Sequence, residues 1–302
     1  MEEFIMKIIP GPSSQILGLN VAISLNIKPS LVKFKKFPDG EQYVKIEDNV
    51  ADKDVLLIQT TSFPQNDNLI ELFFMIEAII NMNPKSLSLI IPYFAYSRQD
   101  KRFLEGESLS SKLICKIIDS ISSDRAKFFV SFDIHSRIIE NFFKNYSFIN
   151  LSAIPLIAEL LKEYSLLKPL IIAPDKGAQD KAKELADLLA SDYTYLEKER
   201  SKITGEIKTS LKDLSVKNRD VVFIDDIIST GGTMVKGIEM ARSQGARDIY
   251  AACTHPLLIS DAKTRILNAG AKKIIGTDAI PSECSSISLS TSIVKFIKKN
   301  FS

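Results

Sequence analysis

Short apolar runs alternate with longer segments of helical periodicity along almost the whole chain, and this alternation restricts the possible folds most strongly. In the first half, the strand-like run Asp54–Gln59 precedes Leu69–Met82, which has apolar residues at helical spacing. In the second half, the run Asp220–Ile224 precedes the helical segment Met234–Gln244. Continuously apolar strands between amphipathic helices are typical of parallel sheets covered on both faces. The sequence therefore predicts the α/β class.

The chain has 302 residues, and the alternation occurs in two sets, which predicts two doubly wound parallel-sheet domains. We place the first domain at residues 1–149 and the second at residues 150–302. The final helical segment, Ile293–Asn300, is a candidate to pack back on the first domain. Ligands of such sheets bind beyond the carboxyl ends of the strands, so functional residues are expected there.

Charge and cysteine content exclude several classes of partner. The 39 basic and 37 acidic side chains leave a formal net charge of +2, which gives no bulk attraction to nucleic acid or to an anionic membrane. The longest apolar runs, such as Leu87–Tyr96, are too short to span a bilayer. The cysteines Cys115, Cys253 and Cys284 lie far apart and predict buried thiols of a reducing compartment. We expect a soluble, cytoplasmic protein.

The segment Val221–Thr233 carries the strongest indication of a binding site. An apolar strand runs into two acids, and two glycines follow before a helix begins near Met234. Glycines let the backbone turn sharply and gather N–H groups, and a helix N-terminus favours an anion. The loop consists of Asp225, Asp226, Ile227, Ile228, Ser229, Thr230, Gly231, Gly232 and Thr233. A tight turn with solvated carboxylates is the alternative, but acids, hydroxyls and glycines at one strand end favour a phosphosugar loop.

This loop resembles the phosphoribosyl-diphosphate loop that type I phosphoribosyltransferases share with ribose-phosphate diphosphokinases. The resemblance implies the type I phosphoribosyltransferase fold for both domains. It also implies that Asp225, Asp226 and Ser229–Thr233 bind ribose 5-phosphate in the second domain. The fold alone does not separate the two chemistries.

Segments after the other predicted strands resemble the diphosphokinases more specifically. Phe37-Pro38-Asp39-Gly40-Glu41 is similar to the element with which that family contacts the adenine of ATP, often across a subunit interface. Arg98-Gln99 is similar to the family's ATP-binding Arg-Gln pair. The residues that would bind ATP, in the first domain, are therefore Phe37, Asp39, Gly40, Glu41, Arg98 and Gln99. Each segment alone also fits a turn or a solvated loop, and their occurrence together in family order favours the ATP site.

Three further segments complete the resemblance. His135 follows one strand and Asp175 another, and the family uses these positions to hold the magnesium that accompanies ATP. Asp175 and Gly177 also match a loop that cradles pyrophosphate, although Ala178 stands where a second glycine is commoner. Lys198 and Arg200 match the Lys-x-Arg pair of the family's mobile catalytic loop, where Arg200 also contacts substrate. A surface strand of alternating charge is the alternative for these last residues.

The resemblance covers nearly the whole chain and is greatest to archaeal members of the diphosphokinase family. It implies transfer of the β,γ-diphosphoryl group of ATP to ribose 5-phosphate, with magnesium as cofactor. A homo-oligomer, dimer or hexamer, is expected because the family's ATP site lies near a subunit interface. The alternatives are a phosphoribosyltransferase, which would have no use for Arg98, Gln99 and His135, and a non-catalytic nucleotide-binding homologue, which could lose Lys198.

Overall fold

Parallel pairing of the apolar runs in the first half of the chain forms a five-stranded sheet. The computed structural model describes residues 6–200, 207–210 and 215–301, and for 197–200 and 207–210 it describes the backbone only. The strands of the first half are β1 (Met6–Pro10), β2 (Val32–Lys36), β3 (Gln42–Ile46), β4 (Asp54–Ile58), β5 (Ser86–Ile90), β6 (Ala126–Phe132) and β7 (Ser147–Leu151). The helices are α1 (Gln15–Ser24), α2 (Gln65–Ile80) and α3 (Ser110–Ser122). The sheet order is β1-β4-β5-β6-β7, with every neighbouring pair parallel.

The chain changes direction next to β1. After α1, the Ser30 N–H donates to the Ile8 carbonyl at 2.8 Å, so the chain runs along one side of β1 before β4 is added on the other. Between these two points β2 and β3 form an antiparallel hairpin outside the sheet, and β3 packs on α2. Strand β1 is therefore the edge strand of this sheet, with the segment at Ser30 bonded to its outer side.

The second half of the chain forms a six-stranded parallel sheet. Its strands and a separate hairpin are β8 (Leu170–Ala173), β9 (Asp192–Tyr195), β10 (Glu197–Arg200), β11 (Ile207–Ser210), β12 (Val221–Ile228), β13 (Ile249–Pro256), β14 (Lys273–Thr277) and β15 (Ser285–Ile287). The helices are α4 (Ile154–Glu163), α5 (Gln179–Leu189), α6 (Gly232–Ser243) and α7 (Ala262–Ala269). The order β15-β14-β13-β12-β8-β9 places β12 beside β8, at the point where the strand order reverses. The predicted doubly wound α/β fold is confirmed.

Strand β12 is buried on both faces, which explains its continuous apolar run. Val221 and Phe223 belong to a hydrophobic cluster with residues of α6 and α7. Val222 and Ile224 belong to a second cluster with residues of α4 and α5. Successive side chains of a strand point to opposite faces, so no position of this stretch is left for a polar residue until β12 approaches its carboxyl end.

The chain divides into two compact units, Met1–Leu151 with Ala279–Pro281 and Ser288–Ser302, and Ser152–Asp278 with Ser282–Ile287. Helix α8 (Ser290–Asn300) belongs to the first unit and packs on α1. The ring of Phe128 in β6 contacts those of Phe296 and Phe301, with centroids 5.4 and 5.7 Å apart. No helix of the described ranges combines the length and apolar character that crossing a membrane requires.

A buried carboxylate fixes the start of β12. Asp220 is fully buried and accepts hydrogen bonds from the Leu167 N–H at 2.7 Å, the Asp248 N–H at 3.2 Å and the Arg247 Nε at 2.6 Å. Arg247 also donates through Nη2. Burial acts to raise the pKa of Asp220, but these donors outweigh it and the pKa is lowered. The amino ends of β8, β12 and β13 are thereby tied to one side chain.

We expect Asp220→Ala to lower the free energy of unfolding by about 2–3 kcal/mol, because two backbone N–H groups and a guanidinium lose a charged acceptor. The native-state pKa of Asp220 lies below its ordinary value, so its contribution is present at neutral pH and is lost as the pH falls through the native-state pKa. Urea unfolding at several pH values measures this, with Asp187→Ala on the exposed face of α5 as the control. Equal stability of the two variants at neutral pH would contradict the anchoring role.

Candidate active site

Two adjacent carboxyl groups lie near the carboxyl end of β12. Asp226 is buried and Asp225 is partly buried, and the Asp225 carboxylate accepts the Asp226 N–H at 2.8 Å. The pKa of Asp225 is raised to about 8, first by burial, then by the hydrogen bond to the Asp226 side chain and by the negative charge of Asp226. The charge of Asp175 raises it further. Two carboxylates in one low-dielectric site do not both ionise readily, so a proton is retained on Asp225 near neutral pH.

A sharp turn connects β12 to α6. Gly231 precedes the helix with φ 72°, a left-handed conformation that favours glycine, and a Cβ at this position would come within 3.0 Å of the Ile266 side chain. A Cβ atom added at Gly232 would have no other atom within 4 Å, so this side of the turn faces open space. The N-terminus of α6, a helix of 12 residues, therefore stands behind an accessible glycine turn. Such a terminus stabilises an anion.

The carbonyl groups of the turn accept hydrogen bonds from the segment after β13 and from α7. Leu258 N–H donates to the Ile228 carbonyl at 2.9 Å and Ile259 N–H donates to the Ser229 carbonyl at 3.1 Å. The guanidinium of Arg265 on α7 donates to the Thr230 carbonyl. These bonds fix the orientation of consecutive peptide groups. The sequence offered no signal for the contribution of Arg265, because it lies 35 residues from Thr230 and joins it only through the packing of α7 on α6.

The loop after β8 lies at the same edge of the sheet, since β8 and β12 are parallel neighbours. The Asp175 carboxylate accepts the Gly177 N–H at 2.9 Å and so shapes its own turn. The negative charge of Asp175 acts to raise the pKa of Asp225. Ala178, which stands where the resembling family more commonly has a second glycine, is buried in the hydrophobic cluster beneath α5. Its methyl group therefore packs into the core.

In the first unit, the predicted adenine-contacting segment forms the tip of the β2–β3 hairpin. The Phe37 N–H donates to the Glu41 carbonyl at 2.8 Å, and the Gly40 N–H donates to the Phe37 carbonyl at 2.9 Å. Gly40 has φ 97°, and the Asp39 carboxylate accepts the Glu41 N–H at 3.1 Å. The tip is thus a closed, hydrogen-bonded turn. Asp39 and Glu41 are exposed, and the ring of Phe37 is partly covered by Lys35, whose Nζ lies 4.6 Å from the ring centroid.

Arg98, Gln99 and His135 follow β5 and β6, which are parallel neighbours, so their segments leave the same edge of the first sheet. Gln99 accepts a hydrogen bond from Ser110 Oγ at 2.6 Å through its side chain and one from Ser111 Oγ at 2.8 Å through its carbonyl. The start of α3 thereby fixes this loop. The side chains of Arg98 and His135 are exposed.

The predicted catalytic pair lies at the limit of what the structure describes. Lys198 and Arg200 belong to β10, whose backbone pairs antiparallel with β11, Lys198 opposite Thr209 and Arg200 opposite Ile207. The side chains of both residues fall outside the described part of the structure.

Among the described residues, no group of three or more His, Cys, Asp or Glu side chains is arranged to hold a metal ion. Mg²⁺ usually takes one or two protein carboxylates and completes its shell with phosphate oxygens and water, so a single carboxylate such as Asp175 fits a magnesium ion carried by a nucleotide. The imidazole of His135 is a less suitable donor for this hard cation, although its exposure leaves it accessible.

Comparison with known proteins relates the whole chain to one group of enzymes. Residues 6–121 match the family described as N-terminal domain of ribose phosphate pyrophosphokinase, and residues 149–287 match the phosphoribosyl transferase domain. The ribose-phosphate pyrophosphokinase of Methanobrevibacter smithii is 38% identical, with 96% of this chain and 99% of that protein covered. The protein of the same name from Saccharolobus solfataricus is 40% identical, with 91% and 93% covered. Both are archaeal, as the sequence resemblance predicted.

A solved structure shows the same relationship. The crystal structure of phosphoribosylpyrophosphate synthetase from Mycobacterium smegmatis superimposes with a TM-score of 0.86 over 98% of both chains, at 26% sequence identity.

The acid pair of β12 predicts a pH-dependent gain in stability for Asp225→Asn. The pKa of Asp225 is higher in the native state than in the unfolded chain, so ionisation of Asp225 costs stability increasingly as the pH rises towards about 8. Asparagine removes this cost, and we expect a gain of about 1–3 kcal/mol at about pH 8 that disappears near pH 4. Thermal unfolding at the two pH values measures the gain, and Asp187→Asn on α5 is the control. A loss of stability of equal size at both pH values would contradict the assigned pKa.

Proposed function

Since the chain belongs to the ribose-phosphate pyrophosphokinase family, we propose that it transfers the β,γ-diphosphoryl group of ATP to the anomeric hydroxyl of ribose 5-phosphate. The products are 5-phosphoribosyl 1-diphosphate and AMP. The anomeric oxygen forms a bond to the β-phosphorus, and the bond between that phosphorus and the α,β-bridging oxygen breaks. AMP leaves with the bridging oxygen. The product is an activated sugar for nucleotide biosynthesis.

The structure at the carboxyl end of β12 is the main support for this proposal. The glycine turn at Gly231 and the N-terminus of α6 suit the 5-phosphate, and the hydroxyl groups of Ser229, Thr230 and Thr233 can donate to the same oxygens. Asp225 and Asp226, just before the turn, can accept hydrogen bonds from ring hydroxyl groups. The proton retained on Asp225 is compatible with this role, because a neutral carboxyl still accepts through one oxygen.

ATP is assigned to the first unit. The exposed acids Asp39 and Glu41 can accept hydrogen bonds from an adenine amino group, and the Phe37 ring can stack on the base beside Gly40. Arg98 can make a paired contact with a phosphate, and Gln99, held by the start of α3, supports the same loop. The proposed contacts to the base come from the hairpin tip, and the proposed contact to the phosphate comes from the loop after β5. The two sets of contacts are therefore held in place by different parts of the unit.

The transferring group carries negative charge that must be stabilised in the transition state of phosphoryl transfer, and positioned cations provide this stabilisation. Asp175 of the second unit and His135 of the first are each proposed as a magnesium ligand, and bound Mg²⁺ would supply charge neutralisation of the triphosphate. Lys198 and Arg200 would stabilise the negative charge that develops on the bridging and equatorial oxygens. Gly177, whose N–H donates to the Asp175 carboxylate, would shape the turn that faces the diphosphate.

We assign a homo-oligomeric state, dimer or hexamer, because the hairpin tip exposes Asp39 and Glu41 and would contact a nucleotide held by a neighbouring copy. A cytoplasmic location is supported by Cys115, Cys253 and Cys284, which are buried as free thiols and suit a reducing compartment.

One assay separates this function from the two alternatives. The protein is incubated with ATP and Mg²⁺, with and without ribose 5-phosphate, and AMP is quantified. AMP formation that depends on ribose 5-phosphate supports the diphosphokinase. A phosphoribosyltransferase would instead consume 5-phosphoribosyl 1-diphosphate in the presence of a nucleobase, and a non-catalytic homologue would bind nucleotide without turnover. Folded protein that forms no AMP would exclude the proposal.

For Lys198→Ala we expect kcat to fall by about two to three orders of magnitude while the Kd for ATP changes little, since the residue acts on charge that develops only in the transition state. Steady-state kinetics and calorimetric ATP binding measure the two quantities. Lys183→Ala, an exposed lysine on α5, is the matched control and should retain full turnover. Unchanged kcat in Lys198→Ala would remove this lysine from the mechanism.

A further inference from the structure

Three buried polar atoms, on β3, on α2 and directly after β4, complete no hydrogen bond with another described residue. They are Oε1 of Gln42, Nε2 of Gln59 and Oε2 of Glu71. Gln59 directly follows β4, Glu71 lies on α2, and Gln42 is the first residue of β3. Unpaired buried polar atoms are costly and are rare in folded proteins, so a group of three on packed elements calls for a physical explanation.

The orientation of the Gln59 amide is fixed. Its side chain is fully buried, and Oε1 accepts the Ser13 N–H at 3.2 Å. Gly11 packs so closely that a Cβ there would come within 2.2 Å of this oxygen. Because Oε1 is held by the loop after β1, Nε2 must point to the opposite side as a donor. The Gln59 side chain is one of the influences that oppose the net rise in the pKa of Glu71, which is the effect of a donor, so we take Nε2 to face that carboxyl group.

Glu71 is in an environment that favours its neutral form. Burial is the largest influence and raises the pKa of Glu71, and the charge of Asp67, one turn earlier on α2, raises it further. Lys36 and Gln59 act in the opposite direction without reversing the shift. A protonated carboxyl group differs from a carboxylate because it can accept one hydrogen bond and donate another.

Gln42 connects this group to the hairpin tip. It pairs across the hairpin with Lys36, and the Lys36 ammonium forms an ion pair with Asp67 at 2.7 Å. This end of the hairpin therefore lies on α2, within one helical turn of Glu71. Gln42 belongs to the half-buried face of β3, with Val44 and Ile46, whereas the alternate residues are exposed. The tip residues Phe37–Glu41 directly precede Gln42.

We infer that Glu71 is a positioning residue for the hairpin tip, because its carboxyl group can accept from Gln59 Nε2 and donate to Gln42 Oε1. The link joins the fixed end of β4 to the base of the hairpin and holds Phe37, Asp39 and Glu41 in place for the nucleotide. The inference rests on the proposed function, since the tip matters only if it contacts ATP. An ionised Glu71 would repel the amide oxygen of Gln42, so the link is present at low pH and is lost as Glu71 ionises.

Three variants test the link. Glu71→Leu removes it while preserving apolar contacts, Glu71→Gln retains a neutral side chain that can both donate and accept, and Glu77→Gln on the exposed face of α2 is the control. For Glu71→Leu we expect the KM for ATP to rise about fivefold, which corresponds to losing the one hydrogen bond that reaches the hairpin, with the KM for ribose 5-phosphate unchanged. In Glu71→Gln the KM for ATP should return to the wild-type value at low pH. As the pH rises, the KM for ATP of this variant should increase less than the KM for ATP of the wild type.

Hydrogen exchange gives a readout that does not depend on activity. Amide exchange of residues 37–43 should be faster in Glu71→Leu than in the wild type and normal in Glu71→Gln and Glu77→Gln. The inference fails if exchange of the tip and the KM for ATP are both unchanged in Glu71→Leu, or if Glu71→Gln behaves like Glu71→Leu. If the wild type forms no AMP at all, the proposed function fails instead, and the exchange result still decides whether Glu71 holds the tip.

Discussion

The burial of β12 on both faces, between its parallel neighbours β8 and β13, is the constraint on which the rest of the second unit depends. Asp220 ties the amino ends of these three strands together, and two hydrophobic clusters cover the middle of the strand. Polar residues are excluded from that middle and appear only beyond Phe223, where pairing with β8 ends while pairing with β13 continues to Ile228. The Asp225–Asp226 pair and the turn at Gly231 occupy this position, so the site is a consequence of how the strand is packed.

The same site carries an electrostatic cost. Burial and mutual repulsion raise the pKa of Asp225, and the charge of Asp175 from the end of β8 contributes to this shift. Ligands with hydroxyl groups and bound cations reduce such repulsion, whereas additional anions would increase it. The turn at Gly231 has the opposite preference, because the N-terminus of α6 attracts anions. Within a few residues β12 therefore offers an acidic surface and an anion-binding turn, an arrangement that suits a sugar with a phosphate at one end.

Much of this organisation was predictable, for identifiable reasons. The run Val221–Ile224 is continuously apolar because both faces are buried, and the loops that follow β5, β6, β8 and β12 contain the polar residues that we propose for ligand binding, at the sheet edge where parallel sheets bind ligands. The edge strand Ser147–Leu151 gave a weaker signal, since it has a neighbour on one side only and none of its residues is fully buried. Contacts between segments that are distant in the sequence gave no signal in the local pattern of residues. The Arg265 bond to the Thr230 carbonyl and the burial of polar atoms of Gln42, Gln59 and Glu71 depend on how helices pack on strands, which local periodicity does not encode. The side chains of Lys198 and Arg200 lie beyond the described residues, and their role remains a proposal.

The fate of the ATP phosphorus atoms tests the central claim most directly. With ATP, ribose 5-phosphate and Mg²⁺, ³¹P NMR distinguishes transfer of a diphosphoryl group from transfer of a single phosphoryl group. The account predicts that the β- and γ-phosphorus atoms of ATP appear together as the diphosphate of 5-phosphoribosyl 1-diphosphate, in equal amount to AMP. Formation of ADP with a singly phosphorylated anomeric position would contradict it, because the attack would then occur at the γ-phosphorus.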